Sequence, residues 1–136
     1  MARLYLEVVT PEKVMASQEV DLVMAPGTEG EFGILPGHIN FLSGIAPGEL
    51  RFDSGNKKEF MAVTFGFAEV SNDKVSILVD SAEKAADIDI ERAQRAMDRA
   101  RERLDKDREG DDIDFLRAET ALKRAISRIK VAKKAQ

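Results

Sequence analysis

The sequence has no cysteine and no tryptophan, and its 136 residues include one histidine and one tyrosine. Disulfide bonds and thiolate metal sites are therefore excluded, and so is a metal site built from several histidines. No run of about 18 apolar residues occurs, so no membrane-spanning helix is predicted. The first residues enter a strand-like pattern without the features of a signal peptide. We therefore expect a protein without direct membrane insertion, which reaches a membrane only through partners.

Few residues offer catalytic chemistry. His38 is the only side chain that ordinarily titrates near neutral pH. The glycines between Gly27 and Gly33 are followed by neither a predicted helix nor a lysine, so they do not match a phosphate-binding loop. The net charge of −4 gives no general attraction to nucleic acid or anionic lipid. We predict a non-catalytic protein without a metal site.

The composition changes near residue 86. All four prolines lie in the first 48 residues, and seven of the eight aromatic residues lie before residue 68. Residues 1–86 carry 7 Lys and Arg against 13 Asp and Glu, whereas residues 87–136 carry 14 against 12. We therefore predict two domains, covering residues 1–86 and 87–136.

The first domain is predicted to be an antiparallel β-sandwich. Short β-rich segments separated by turn residues are typical of that architecture. The predicted strands are Leu4–Val9, Val20–Met24, Ile39–Leu42, Phe60–Thr64, Phe67–Val70 and Val75–Val79. No long helical period lies between them, which disfavours a parallel βαβ arrangement.

The second domain is predicted to be an antiparallel two-helix hairpin, which makes the fold class α+β. Asp87 or Asp89 can cap the first helix, and Gly110 with the aspartates after it is predicted to separate the two helices. Apolar residues recur at three- and four-residue steps: Ala93, Ala96 or Met97, Ala100 and Leu104 in the first helix, and Phe115, Ala118, Leu122, Ala125, Ile129 and Ala132 in the second. Because alanine buries little area, we expect a marginally stable hairpin that can open or extend.

Arginines follow the same helical spacing. Arg92, Arg95, Arg99 and Arg103 share one side of the first helix, and Arg124 and Arg128 lie four apart on the second. A turn about Gly110 would bring Arg92 level with Arg128, and Arg124 between Arg95 and Arg99. Such a cluster needs neutralisation by carboxylates such as Asp98, Glu102 and Glu119, or by a polyanion such as a nucleoside triphosphate. The spacing leaves both alternatives open.

The stretch from Gly30 to His38 combines glycines and a proline with the apolar residues Phe32, Ile34 and Leu35. The glycines and the proline predict an irregular loop. Two alternatives remain: the loop packs against its own sandwich, or it presents an apolar patch to a partner.

These segments together resemble the epsilon subunit of bacterial and chloroplast F-type ATP synthases. The resemblance covers the whole chain in the family's order, and the Gly30–His38 stretch is its most specific part. The matching stretches are Glu7–Pro11, Gly30–His38, Gly66–Val70, Asp80–Ala85 and Asp87–Ala93. The resemblance implies a non-catalytic rotor subunit of the central stalk, which couples the catalytic head to the c-ring during ATP synthesis driven by a proton gradient.

The resemblance also implies partners and a location. The sandwich would bind the gamma subunit and stand on the c-ring, with Glu31, Phe32, Leu35 and His38 as the c-ring contacts. A folded hairpin would permit ATP hydrolysis, whereas a hairpin extended into the alpha/beta catalytic head would inhibit it. The subunit would be peripheral to the cytoplasmic face of the bacterial inner membrane.

Some members of this family bind ATP on the folded hairpin through a motif that stands here as Ile88–Ala93. ATP is therefore a candidate regulatory ligand, and no cofactor is required. Asp89 and Glu83 would contact the adenine side, Ile88 and Ala93 would form its apolar wall, and the arginines would hold the phosphates. The implied ATP-binding residues are Glu83, Ile88, Asp89, Arg92, Ala93, Arg99, Arg124 and Arg128.

Two other functions compete with this interpretation. The chain could be a freestanding ATP sensor whose hairpin closes on the nucleotide, or a sandwich adaptor whose hairpin forms a coiled-coil dimer. The Gly30–His38 stretch discriminates between the three, because only the rotor subunit requires an apolar, irregular loop on the sandwich.

Overall fold

A computed structural model describes residues 3–106 and 112–134 of the chain. Within these ranges, strands come first and helices follow, which confirms the predicted α+β class. The strands are β1 (Leu4–Val9), β2 (Val14–Val20), β3 (Leu22–Gly27), β4 (Gly30–Ile34), β5 (Phe41–Ile45), β6 (Gly48–Ser54), β7 (Lys57–Val63), β8 (Gly66–Ser71), β9 (Lys74–Val79) and β10 (Ala82–Lys84). A short 3-10 helix (Ala85–Asp87) leads to α1 (Ile90–Lys106) and α2 (Asp112–Lys133).

The strands form one hydrogen-bonded sheet that folds over a shared core. Its order is β10-β7-β6-β3-β5-β8-β9-β1-β2, and β4 pairs with β3. Apolar side chains alternate with polar ones, so that Leu4, Leu6 and Val8 of β1 point inward while Tyr5 points outward. The sandwich core is formed by residues between Leu4 and Ala82, and none of its buried members comes from α1 or α2.

Four strands differ from the sequence prediction. β4 was expected to be part of a loop, and β2, β6 and the short β10 were not among the predicted strands. The Gly30–His38 stretch is only partly irregular, because its first half is β4, hydrogen-bonded to β3. Most neighbouring strands are antiparallel, as predicted. β1 lies between β9 and β2, and it pairs antiparallel with β2 but parallel with β9.

A polar corner joins the β2–β3 connection to the β6–β7 turn. The backbone N–H of Gly55 donates a hydrogen bond to Oδ2 of Asp21 at 2.7 Å, and Arg3 Nε donates to Oδ1 at 3.1 Å. The Gly55 hydrogen bond, assisted by the charge of Arg3, lowers the pKa of Asp21. Arg3 also donates to Ser54 Oγ at 2.8 Å, so the start of β1 is fastened to the far hairpin.

The two helices pack against each other and dock on the sheet through the end of α2. The predicted apolar stripes are confirmed for their buried members, which are Ala93, Ala100, Ala118, Ala125, Ile129 and Ala132. Phe115 departs from the prediction at 38% exposure, because it lies beside Leu104 at the end of the hairpin away from the sheet. The predicted separation at Gly110 falls outside the described residues.

The start of α1 is capped by Asp89. Its Oδ1 accepts a hydrogen bond from the backbone N–H of Arg92 at 3.1 Å, and its carbonyl accepts one from Ala93 at 3.0 Å. This is the arrangement of an N-cap residue. Of the two predicted candidates, Asp89 is therefore the cap, whereas Asp87 ends the 3-10 helix.

Candidate functional site

A cleft of about 440 Å³ lies between the two helices and the edge of the sheet. α1 contributes Arg99 and Arg103, α2 contributes Arg124 and Arg128, and β10 contributes Glu83. The remaining lining residues are small or weakly polar: Ala62, Val63, Thr64, Ser81, Ala96, Ala100, Ala121, Ala125 and Ser127. The cleft is therefore a basic chamber with a floor of small side chains. It follows from the helical spacing of the arginines combined with the alanine stripes, which leave room between the helices.

Among the residues that the structure describes, one ion pair lies inside the cleft. Nη2 of Arg128 donates a hydrogen bond to Oε2 of Glu83 at 3.1 Å, and Nε of Arg128 lies 2.7 Å from Oε1. Both side chains are partly shielded from solvent, with exposures of 24% for Arg128 and 36% for Glu83. The pair therefore fastens α2 to the sheet and neutralises one arginine of the cleft.

Within the described part of the chain, the other arginines of the cleft have no such carboxylate. Among the described residues, no Asp or Glu lies within ion-pair distance of Arg99, Arg103 or Arg124. The carboxylates considered from the sequence do not neutralise them. Glu102 pairs with Lys106, and Glu119 pairs with Lys123. Three guanidinium groups thus face one chamber together, which suits a ligand with several negative oxygens.

The structure brings together half of the predicted nucleotide residues. Glu83, Arg99, Arg124 and Arg128 line the cleft. The other four predicted residues, Ile88, Asp89, Arg92 and Ala93, are not among its lining residues.

Three of those four residues have local structural roles. Ile88 is 7% exposed and packs with Ala62 and Val131, while Ala93 is fully buried. Asp89 caps α1, as described above, and Arg92 is exposed on the first turn. Their part in binding a nucleotide stays a prediction.

The predicted register of the hairpin placed Arg124 between Arg95 and Arg99, and Arg92 level with Arg128. In the structure Arg124 shares the cleft with Arg99 and Arg103, whereas Arg92 and Arg95 are not among the lining residues. The residue-by-residue register of the two helices stays a prediction.

Three polar residues of the cleft and one of its arginines were not among the predicted site residues. Thr64 and Ser81 were not considered, although the two hydroxyl oxygens lie 3.2 Å apart and the backbone N–H of Ser81 donates to Thr64 Oγ1 at 3.0 Å. Ser127 lines the same chamber. Arg103 belonged to the predicted basic side of α1 and could have been found from its spacing after Arg99.

The residues predicted to meet a c-ring fall into two groups. Glu31 and Leu35 point outward, and Leu35 is 60% exposed. Phe32 and His38 are half-buried, and both rings stack edge-to-face on Phe41, with centroid distances of 5.2 and 5.7 Å. Both alternatives for this stretch are thus partly realised, because it packs on the sandwich and still exposes an apolar side chain.

The outer surface of the sheet carries an exposed apolar row. Direct strand pairing places Phe67 of β8 beside Leu78 of β9, Leu78 beside Val9 of β1, and Val9 beside Val14 of β2. Paired residues project from the same face. Phe67, Leu78 and Val14 are 61%, 50% and 56% exposed, which is unusual for four adjoining strands of a soluble sheet.

Comparison with known proteins matches nearly the whole chain. Residues 3–85 match the family described as "ATP synthase, Delta/Epsilon chain, beta-sandwich domain", and residues 86–133 match "ATP synthase, Delta/Epsilon chain, long alpha-helix domain". The chain belongs to the ATP synthase delta/epsilon family.

Individual relatives agree with this family. The ATP synthase epsilon chain of Nitratidesulfovibrio vulgaris (strain DP4) is 55% identical over 101 residues, covering 74% of this chain and 75% of that one. The ATP synthase epsilon chain of Syntrophobacter fumaroxidans is 49% identical over 132 residues, covering 97% of both chains. Because these relatives are epsilon chains, a non-catalytic component of ATP synthase, the prediction that this chain is not an enzyme is confirmed.

Solved structures show the same fold. A chain in the cryo-EM structure of the Euglena gracilis mitochondrial ATP synthase, comprising OSCP, F1 and the c-ring, superposes with a TM-score of 0.82 at 25% identity. The match covers 99% of this chain and 81% of that one. In the described part of this delta/epsilon family member, neither helix has the length and apolar character needed to cross a membrane.

Proposed function

We propose that the chain is the epsilon subunit of a bacterial F-type ATP synthase, acting in the central stalk between the catalytic head and the c-ring. It transmits rotation during ATP synthesis driven by a proton gradient, and it restrains ATP hydrolysis through its helical hairpin. Its place is the cytoplasmic face of the inner membrane, as a peripheral subunit. Family membership supports the rotor role, and the basic interhelical cleft supports control by ATP.

The surface of the sandwich offers two docking regions for this role. The apolar row of Val9, Val14, Phe67 and Leu78 spans four strands and suits a broad protein surface such as the gamma subunit. Glu31 on β4 and Leu35, which directly follows β4, are both exposed and suit contact with the c-ring.

The hairpin is attached in a way that permits release. Its described residues contribute no buried member to the sandwich core, and their apolar contact with the sheet is a small cluster of Ala62, Ile88, Val131 and Ala132. Each Å² of buried apolar surface contributes roughly 25 cal/mol, and an alanine side chain has little apolar surface to bury. Release would free the basic face of α1 to meet acidic segments of the catalytic head.

ATP would favour the folded hairpin by binding in the cleft. Arg99 and Arg103 come from α1, whereas Arg124 and Arg128 come from α2, so one polyphosphate would bridge both helices. Such bridging stabilises the folded arrangement, because a ligand that binds only one state shifts the population toward it. Glu83 would exchange its contact with Arg128 for one with the nucleotide.

Calorimetric titration with ATP tests this proposal. We expect Arg99→Ala and Arg124→Ala each to weaken ATP binding by roughly 10- to 100-fold, since each removes charge-assisted hydrogen bonds worth about 1.5–3 kcal/mol. Arg95→Ala is the matched control, because Arg95 lies on α1 outside the cleft and should leave the affinity unchanged. Equal affinities in all three variants and the unmodified chain would exclude the cleft as the ATP site.

A further inference from the structure

The last residue of the described chain makes a second polar attachment to the sheet. Nζ of Lys134 is ion-paired with Oε1 of Glu49 on β6 and lies 4.8 Å from the ring centroid of Phe60 on β7. The side chains of Lys134 and Glu49 are 37% and 21% exposed, so both are partly shielded from water. An ammonium held between a carboxylate and an aromatic face is constrained from two directions.

Among the described residues, none of the other charged side chains near Lys134 takes the place of Glu49 as its partner. Lys58, Glu59 and Lys84 line the adjoining depression, and Glu59 is already paired with Lys57. No other carboxylate of the described residues is within ion-pair distance of Lys134. The neighbouring lysines would repel Lys134 if Glu49 were absent, so the pair with Glu49 favours the docked position of this end of the hairpin.

This attachment is separate from the Arg128–Glu83 pair. Arg128 and Lys134 are six positions apart on the same chain, or roughly 9 Å along a helix. Between them, Val131 and Ala132 pack on Ala62 of the sheet. The final turns of α2 therefore meet the sandwich at two ionic points on either side of one apolar contact.

We propose that Lys134, Glu49 and Phe60 form a latch that holds the hairpin in its folded position on the sandwich. The proposal rests on the proposed function, in which the hairpin is mobile. The latch leaves Arg128 free to exchange Glu83 for a phosphate while the end of α2 stays docked. It thereby raises the fraction of molecules in which both helices are positioned for a nucleotide, and apparent affinity scales with that fraction.

Fluorescence energy transfer within the full chain tests the latch. Because the sequence has no cysteine, Asn56→Cys and Ile126→Cys introduce two unique labelling sites, on the β6–β7 turn and on α2. Single-molecule transfer efficiency gives the ratio of folded to released hairpin. Measurement at increasing urea, below the unfolding of the sheet, populates release in every variant.

We expect Lys134→Gln and Glu49→Gln each to lower the ratio of folded to released hairpin about two- to five-fold, the range for partly exposed ion pairs. Lys133→Gln is the control, since Lys133 is exposed and makes no ion pair among the described residues. The double change Glu49→Lys with Lys134→Glu should recover part of the loss by restoring an opposite-charge pair.

Two results would overturn the latch: an unchanged ratio in both Gln variants, or an equal drop in Lys133→Gln. Failure of the proposed function has a different signature. If the hairpin of the unmodified chain leaves the sheet only when the sheet itself unfolds, the hairpin is not mobile, and the regulatory role is wrong whatever the variants do.

Discussion

Single glycines decide where neighbouring strands can approach. An ideal Cβ placed on Gly66 would lie 1.9 Å from the carbonyl oxygen of Leu78, which belongs to the backbone of the paired strand β9. A Cβ on Gly33 would lie 2.8 Å from Sδ of Met24, the flexible part of a side chain. The two contacts differ both in distance and in what has to move.

We expect Gly66→Ala to destabilise the folded chain by about 3 kcal/mol, because the obstructing atom can yield only if β8 and β9 separate. Gly33→Ala should cost less than about 1 kcal/mol, because the Met24 thioether can rotate away. Urea unfolding followed by circular dichroism measures both. Equal losses in the two variants would show that backbone and side-chain obstruction cost the same here.

The candidate site could be predicted residue by residue only in part. The spacing of Arg99, Arg124 and Arg128 indicated a shared basic surface, and the cleft brings them together. Glu83 was placed in the site only by resemblance, because nothing in its local sequence shows that it will pair with Arg128 across 45 positions. Thr64 and Ser81 were missed for the same reason, since their meeting depends on the pairing of two distant segments.

The strands differed in how well their sequence patterns predicted them. β1 was predicted within its observed bounds, because Leu4, Leu6 and Val8 alternate with outward residues. β2 was missed because it contains the polar run Ser17, Gln18 and Glu19 and lies at the edge of the sheet. β4 was missed because Gly30 and Gly33 suggested a loop, although glycine fits a hairpin that begins after a tight turn.

Capping of α1 and the predicted contact with the adenine side of ATP are two roles of Asp89 that substitutions can separate. Asp89→Ala should destabilise the hairpin by about 1 kcal/mol, since it removes the acceptor for the Arg92 N–H. Asp89→Asn keeps a good cap and should leave the stability of the hairpin within a few tenths of a kcal/mol of that in the unmodified chain. Hydrogen exchange of the α1 amides measures the cap, with Asp87→Ala as a control outside the helix.

The same pair of variants tests the predicted role of Asp89 at the adenine side. If Asp89→Asn is stable but loses ATP affinity, the carboxylate contacts the nucleotide as the resemblance implies. If ATP affinity follows helix stability in both variants, Asp89 acts on binding only through the cap. A protected α1 in Asp89→Ala would contradict the capping assignment itself.

The whole molecule is built as a self-sufficient sandwich with an attached hairpin. The sandwich core is closed by its own strands, and the polar corner of Arg3, Asp21 and Gly55 fastens its first strand to the β6–β7 hairpin. The hairpin adds a separate small cluster and the two ionic attachments of α2. Such a division lets one part stay bound to a rotor while the other changes position.

A chain that ends after Ala86 tests this division directly. We expect it to fold and unfold cooperatively, because the residues that the structure describes after Ala86 supply no buried side chain to the sandwich core. Its melting temperature should fall by only a few degrees, since the loss of about 1 kcal/mol shifts a domain of this size by roughly 4–8 °C. ATP binding should vanish, because Arg99, Arg124 and Arg128 are removed together.

The truncated chain also separates the rotor role from regulation. It should still bind a gamma subunit from its own source, since Phe67 and Leu78 remain exposed. Phe67→Glu should abolish that binding. Ile39→Glu is the control and should not, because Ile39 is exposed but lies outside the apolar row. A reconstituted catalytic head carrying the truncated chain should hydrolyse ATP faster than one carrying the full chain, because no hairpin can extend into it. Lost gamma binding would place the gamma contact on the hairpin, and unchanged hydrolysis would remove the hairpin from regulation.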